Sequence, residues 1–155
     1  MVDMLVALYA IPPDAGLQSH PPGVVIRRAL APERRAVVGW VEGRFGAGWA
    51  GEAEAAFAAT PTRCLVAVEG EALLGFALWD VTALGFFGPT GVAEAARGRN
   101  IGAALLLGVL GAMRAAGYGY AIIGAAGAPE FFTKVAGAVP IAGSSPGLYQ
   151  GMLRP

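Results

Sequence analysis

Val92-Ala93-Glu94-Ala95-Ala96-Arg97-Gly98-Arg99-Asn100-Ile101-Gly102-Ala103-Ala104-Leu105-Leu106 is the stretch on which the fold turns. A strand ends at Val92, a short polar turn follows, and an apolar helix begins at Ile101. The first N–H groups of a helix have no partner within it, and the macrodipole adds partial positive charge there. Such a terminus suits a phosphate when small side chains leave the backbone open. Gly102, Ala103 and Ala104 leave it open, and Arg97 and Arg99 place cationic charge beside it. Asn100 is a favourable N-cap that also tolerates left-handed backbone geometry. By itself the stretch has a second reading, in which Asn100 caps an ordinary core helix and Gly102 permits close packing.

Working outward, the helix runs from Ile101 to about Ala116 and stops at Gly117. Upstream, Leu84 to Val92 reads as a strand interrupted by Gly88-Pro89-Thr90-Gly91, which predicts a bulge or an unpaired edge. Arg63 to Val68 and Ala72 to Val81 flank Glu69-Gly70-Glu71 as a hairpin. Val37, Val38, Val41 and Phe45 recur at helical spacing, so residues 32 to 46 form an amphipathic helix opened by Pro32. Gly46 and Gly48 break it, and Trp49 to Ala59 is a second helix with Glu52 and Glu54 outward. Leu5 to Ile11 and Val24 to Ile26 are earlier strands, joined by a Pro-rich connection that places His20 in an exposed loop. Downstream come a strand at Tyr120 to Gly124, a short helix at Pro129 to Val135, and final strands at Val139 to Ile141 and Leu148 to Leu153. This order implies an α/β sheet with helices on both faces.

The 155 residues are expected to form one domain, with residues 1–22 outside its motif-bearing core. Only 14% of residues are charged, yet the longest strongly apolar stretch, Ile101 to Met113, is short of the about 20 residues that a membrane span needs. The apolar N-terminus carries Asp3 and lacks a basic region and a small-residue cleavage site, so no signal peptide is expected. Cys64 is the only cysteine and reads as a buried strand thiol, which excludes an internal disulfide and a cysteine-based metal site. These features are compatible with the cytoplasm. Net charge is zero, but residues 1–96 hold six basic and ten acidic side chains, whereas five basic residues after Ala96 face Glu130 alone. That excess suits a compact polyanion. The cations are too sparse for nucleic acid, and both the P-loop and the dinucleotide-binding glycine patterns are absent.

The opening stretch resembles the acyl-coenzyme A motif of the GNAT superfamily of N-acyltransferases, whose pattern is [QR]-x-x-G-x-[GA]. Arg97 and Gly102 match its ends, and Asn100 stands where the inner glycine is usual. Ala128-Pro129-Glu130-Phe131-Phe132-Thr133-Lys134 is similar to the family's A-x-x-F-Y-x-K helix, and the order of elements agrees from Val24 through Leu153. The resemblance implies a central mixed, mostly antiparallel twisted sheet of six or seven strands with helices on both faces. It also implies acetyl-coenzyme A as co-substrate, no metal, and a small-molecule primary amine as acceptor. In that scheme the strand ending near Val92 pairs with the pantetheine arm where two parallel strands splay. N–H groups from Arg99 to Ala104 (Arg99, Asn100, Ile101, Gly102, Ala103 and Ala104) hold the pyrophosphate, with Arg97 and Gly98 beside them. Gly91 and Val92 offer a backbone N–H to the thioester oxygen.

The chain departs from the family at Phe132, which replaces the tyrosine that lies near the cofactor sulfur, and at Ala125, where an asparagine is common. A phenyl ring donates no proton. Tyr149, Tyr118 and Thr90 are the replacement hydroxyls, or the thiolate leaves unaided; Asp80 and Glu94 are the candidate bases. Trp79, Phe86 and Phe87 are either acceptor walls or core, and the helical setting of Trp40 and Trp49 favours packing. Two other readings stay open: a noncatalytic acyl-coenzyme A-binding module, and a structural domain that dimerises through its N-terminal strand. A homodimer is compatible with each.

Overall fold

Gly70, in left-handed geometry at φ 60°, turns the chain between β3 (Cys64–Glu69) and β4 (Ala72–Trp79), which pair as an antiparallel hairpin. The computed structural model describes residues 1–18 and 21–155; His20, expected in an exposed loop, lies outside the described residues. The other strands are β1 (Met4–Ala7), β2 (Val25–Arg28), β5 (Phe86–Val92), β6 (Tyr120–Ile123) and β7 (Val139–Pro140). All seven join one sheet in the order β2-β3-β4-β5-β6-β1-β7. Every neighbouring pair is antiparallel except β5 and β6, which run parallel.

The helices are α1 (Ala15–Gln18), α2 (Arg34–Phe45), α3 (Ala47–Ala58), α4 (Ile101–Ala115) and α5 (Pro129–Ala136). Helix α4 turns nine apolar side chains inward, and Leu105, Leu106, Val109 and Met113 meet Met4, Val6, Phe87 and Ile123 in one core. Val37 and Val41 of α2, with Ala53 and Ala56 of α3, meet Val66, Phe76 and Leu78 in a second core across the sheet. The sheet is therefore covered on both faces, by α4 on one and by α2 and α3 on the other. No helix of the described residues is long and apolar enough to cross a membrane.

Sequence expectations need correction at the first strand and at the C-terminus. The first strand stops at Ala7, because Leu8 donates its N–H to the Gly119 carbonyl and Leu8–Ala10 coils into a 3-10 turn that carries the chain to Pro12 and Pro13. That strand also lies inside the sheet, with β6 along its whole length and β7 on Met4 and Leu5, so it is not a free edge for a partner chain. Leu148 to Leu153 form no strand: Gly147–Tyr149 is a 3-10 turn, and Gly147 and Gly151 take left-handed φ values of 56° and 73° that extended pairing does not allow. The glycine-proline interruption in β5 is a bulge in the middle of the sheet, where the ladder with β4 shifts between Ala77 and Trp79. Gly88 and Pro89 form no ladder pair there, so the missing proline N–H costs no hydrogen bond.

Candidate active site

Two ladder pairs, Phe86 with Ile122 and Phe87 with Ile123, are all that join β5 to β6. Beyond them β5 continues beside β4 through Val92, while β6 ends and the chain departs through Gly124 and Ala125, which takes a left-handed φ of 44°. The two strands splay, and a cleft of about 780 Å³ opens between them. Its rims are the α4 N-terminus, Phe131 and Phe132 of α5, and Phe45 and Trp49 at the α2–α3 junction. This volume and its largely apolar walls are those of a small-molecule or cofactor site.

Alternation along the antiparallel β4–β5 ladder decides which backbone groups face the cleft. Ala93 donates its N–H to the Leu74 carbonyl, and Gly91 lies opposite Phe76 in the same phase. The Gly91 N–H is therefore turned to β4, and the intervening Val92 N–H is turned to the splay. Of the two residues expected to offer a donor, Val92 has the right direction and Gly91 does not. Gly91 serves by lacking a side chain: a Cβ there would lie 2.5 Å from the Phe45 ring. Gly124 is similar, since a Cβ on it would collide with the Tyr149 hydroxyl and approach Phe86 to 3.0 Å. Aromatic side chains thus press on the backbone at the apex of the splay from the α2–α3 face.

At the opposite rim, Asn100 adopts left-handed geometry at φ 64° and its side chain caps no N–H of α4. The expectation of a side-chain N-cap is corrected accordingly, and among the described residues the first-turn N–H groups of Ile101, Gly102 and Ala103 have no backbone or capping partner. A Cβ on Gly102 would meet only ordinary contacts, with Phe131 at 3.7 Å and Val92 at 3.8 Å. Gly91, Val92, Arg97, Gly98, Asn100, Ile101, Gly102, Ala103 and Phe132 all line the cleft. Ala104 does not: its methyl group is buried, and its N–H is bonded to the Asn100 carbonyl at 3.1 Å. Arg99 is also outside the lining and forms an exposed ion pair with Glu69 at 2.6 Å. Arg97 lines the rim and, among the described residues, makes no ion pair.

The hydroxyls and carboxylates expected to move protons separate sharply. Asp80 closes the turn after β4: one carboxylate oxygen accepts the Gly85 N–H at 2.7 Å, and the other accepts the Tyr118 hydroxyl at 2.9 Å. Both residues are thereby committed to that turn, and neither lines the cleft. Glu94 is exposed in the 3-10 turn Glu94–Ala96, also outside the lining. Thr90 lines the cleft, but its hydroxyl donates to the Phe76 carbonyl at 2.9 Å. Tyr149 is also outside the lining, but its hydroxyl lies against Gly124, which does line the cleft at the apex. Burial holds the Tyr149 phenol above its usual value, and the nearby charges of Asp3 and Glu52 push it the same way. Phe132 packs its ring edge-on against Phe87 at 6.2 Å and contributes bulk to the cleft wall. Trp79 is core, Phe87 is buried in the core and also lines the cleft, and Trp49 stacks on Phe45 at 5.0 Å and lines the cleft as well. Trp40 packs against Phe45 and Phe76, with the Arg44 guanidinium over its ring.

Sequence reasoning misplaced Glu52, which lies outside the cleft lining. It is half-buried rather than outward, and Thr82 donates a hydrogen bond to its carboxylate. Burial raises the Glu52 carboxyl above its ordinary value, and the Thr82 hydrogen bond opposes this in part. The available signal was its place three residues after Trp49 on a helix whose inner face is Ala50, Ala53 and Ala56. Among the described residues no group of three or more His, Cys, Asp or Glu is arranged to hold a metal ion.

No family model and no curated protein matches the chain in sequence. Solved structures do match it. A GCN5-related N-acetyltransferase from Sphaerobacter thermophilus aligns over 90% of this chain with 26% identity and a TM-score of 0.71. A GCN5-related glucosamine N-acetyltransferase region of a fungal multi-domain GH3 β-N-acetylglucosaminidase aligns over 90% with 12% identity and a TM-score of 0.73. A putative acetyltransferase from Pyrococcus horikoshii aligns over 62% with 20% identity and a TM-score of 0.50. The chain spans 48%, 19% and 36% of those three proteins respectively.

Proposed function

We propose that this chain, which belongs to the GCN5-related N-acetyltransferase superfamily, moves an acetyl group from acetyl-coenzyme A to a primary amine of a small molecule. The observation that carries this reading is the splay of β5 from β6 directly beside an uncapped helix N-terminus. It provides a slot for an extended pantetheine arm and, at its outer end, donors for a pyrophosphate. Ile101, Gly102 and Ala103 are the backbone donors of the proposed phosphate end, with Arg97 adding positive charge. Gly98 and Asn100 shape the turn, and Phe132 walls the arm.

Acetyl-coenzyme A supplies an activated acyl group, so the chain has to position and polarise it. The Val92 N–H points into the slot and suits the carbonyl oxygen, where negative charge grows as an amine attacks. Direct attack needs no covalent intermediate on the protein. Tyr149 is the proposed proton donor to the leaving thiolate, because its hydroxyl lies at the apex and burial keeps it protonated. This places on the C-terminal turn the role that a tyrosine on the fifth helix plays in the family, consistent with phenylalanine at position 132.

The test is twofold. Coenzyme A or acetyl-coenzyme A raises the melting temperature as a ligand of the native state does, and free thiol appears when an accepted amine is added. No shift at millimolar cofactor rejects the binding role. A shift with no thiol release over a broad amine panel favours a noncatalytic acyl-coenzyme A-binding module instead.

A further inference from the structure

We propose that the Phe45 ring, braced by Trp49, ends the cleft behind the thioester and so restricts the transferred group to acetyl or propionyl. This deepens the acetyltransferase reading and rests on it. Side chains alternate along β5, so Val92 and Gly91 face opposite sides of the sheet. Val92 faces α4, where its Cγ2 lies 3.8 Å from the place a Cβ on Gly102 would take. Gly91 faces the α2–α3 junction, where the Phe45 ring lies over it, and all three residues line the cleft. A cofactor anchored at the α4 N-terminus therefore brings its acyl group through the splay toward Phe45.

Distances fix how near the ring comes. A Cβ on Gly91 would stand 2.5 Å from Cζ of Phe45, so the ring is already in van der Waals contact with the Gly91 Cα. Only the Gly91 carbonyl carbon separates that Cα from the Val92 nitrogen, the proposed donor to the acyl oxygen. The ring has little freedom to withdraw. Gly46, at φ 94°, is the single residue between α2 and α3, and this tight junction stacks Trp49 on Phe45 at 5.0 Å. Phe76, fully buried in β4, and Trp40 of α2 lie at 5.8 and 6.0 Å from the same ring. The other strand of the splay is closed in the same way, because a Cβ on Gly124 would collide with the Tyr149 hydroxyl. Each strand thus carries a glycine at the apex, and an aromatic side chain covers each glycine.

An acetyl group needs only the space beside the Val92 N–H. Each added methylene extends the chain toward the braced ring, and closely packed side chains resist inserted methylenes. A longer acyl group therefore turns out of the slot and gains no apolar berth. Such a berth would otherwise be worth about fourfold in affinity for each methylene it holds. Removing the ring opens that space between Gly91, Trp49 and Phe76, and a longer chain then fills it.

The experiment is titration calorimetry of the full chain with coenzyme A, acetyl-coenzyme A and hexanoyl-coenzyme A, which needs no acceptor. The readout is the ratio of the hexanoyl to the acetyl affinity within each protein, so a general loss of stability or of cofactor affinity cancels. Wild type is expected to bind the hexanoyl thioester no more tightly than the acetyl thioester. Phe45→Ala is expected to shift the ratio toward hexanoyl by about tenfold or more, the gain from about two accommodated methylenes. Phe45→Leu removes less bulk, is expected to shift the ratio the same way by about fourfold, and covers the case in which the alanine variant does not fold. The inference is overturned if wild type prefers the hexanoyl thioester by more than about threefold, or if the folded variants keep the wild-type ratio within about twofold. A wild type that binds no coenzyme A rejects the acetyltransferase reading itself, which is a separate result.

Discussion

Replacing Gly91 by alanine tests the packing that shapes the cleft. Gly91 is not in left-handed geometry, so alanine fits its backbone and any effect comes from the added methyl group. That methyl carbon would stand 2.5, 2.7 and 3.0 Å from three carbons of the Phe45 ring. Ordinary carbon contacts begin near 3.5 Å, so the ring has to retreat by about 1 Å. It has little room, because Trp49 stacks on it at 5.0 Å and Phe76 and Trp40 lie at 5.8 and 6.0 Å. Overpacking of this kind costs about 1–3 kcal/mol, and the boxed ring favours the middle of that range, about 2 kcal/mol. For a domain of this size each kcal/mol moves the melting point by about 2–4 °C, which gives a fall of about 4–8 °C. Thermal and urea unfolding of Gly91→Ala, Phe45→Leu and the double variant form a cycle in which the smaller leucine side chain relieves the clash. The expected coupling is about 1 kcal/mol or more, in the direction of rescue. A melting point within about 1 °C of wild type for Gly91→Ala, or effects that add within about 0.5 kcal/mol, would refute the contact.

Three further outcomes are expected. Gly102→Ala replaces a first-turn glycine whose backbone alanine can adopt, at the cost of ordinary contacts only, so it should raise stability by about 0.4–1 kcal/mol while weakening coenzyme A binding, and calorimetry separates the two effects. Tyr149→Phe should lower turnover by about a hundredfold or more while leaving the coenzyme A-induced melting shift in place; unchanged turnover would remove Tyr149 as donor. Burial, with a smaller contribution from the Glu33 charge, pushes the Cys64 thiol up to about 12, so native protein should react with a thiol reagent at pH 8 far more slowly than urea-unfolded protein. Because the unfolded thiol ionises near about 8.5, this contribution to stability is complete below that pH and is lost as pH rises through the folded value.

Much of the fold was legible because its signals are local. The spacing of Val37, Val41 and Phe45, the Glu69-Gly70-Glu71 turn and the apolar run after Asn100 each declare an element within a few residues. The C-terminal strand was misread because apolar residues in Leu148 to Leu153 resemble a strand, whereas left-handed glycines at 147 and 151 prevent pairing. Local pattern also assigned the charges of α3 to solvent. Glu52 is half-buried where Thr82, distant in sequence, comes to meet it. Asp80 and Glu94 looked like bases through their nearness to strand ends and to the cofactor loop. The turn at Gly85 consumes the first, and solvent surrounds the second.

The sequence by itself determined that a strand should feed an open, small-residue helix N-terminus at Arg97 to Ala103, because backbone polarity and side-chain size are properties of neighbouring residues. It could not determine which of those residues face a ligand. Sheet register turned the Val92 N–H to the cleft and the Gly91 N–H away, and helix geometry consumed the Ala104 N–H within α4. Tertiary structure alone brought Tyr149 against Gly124 and Thr82 against Glu52. Those meetings depend on long-range closure of the chain, and no local spacing encodes it.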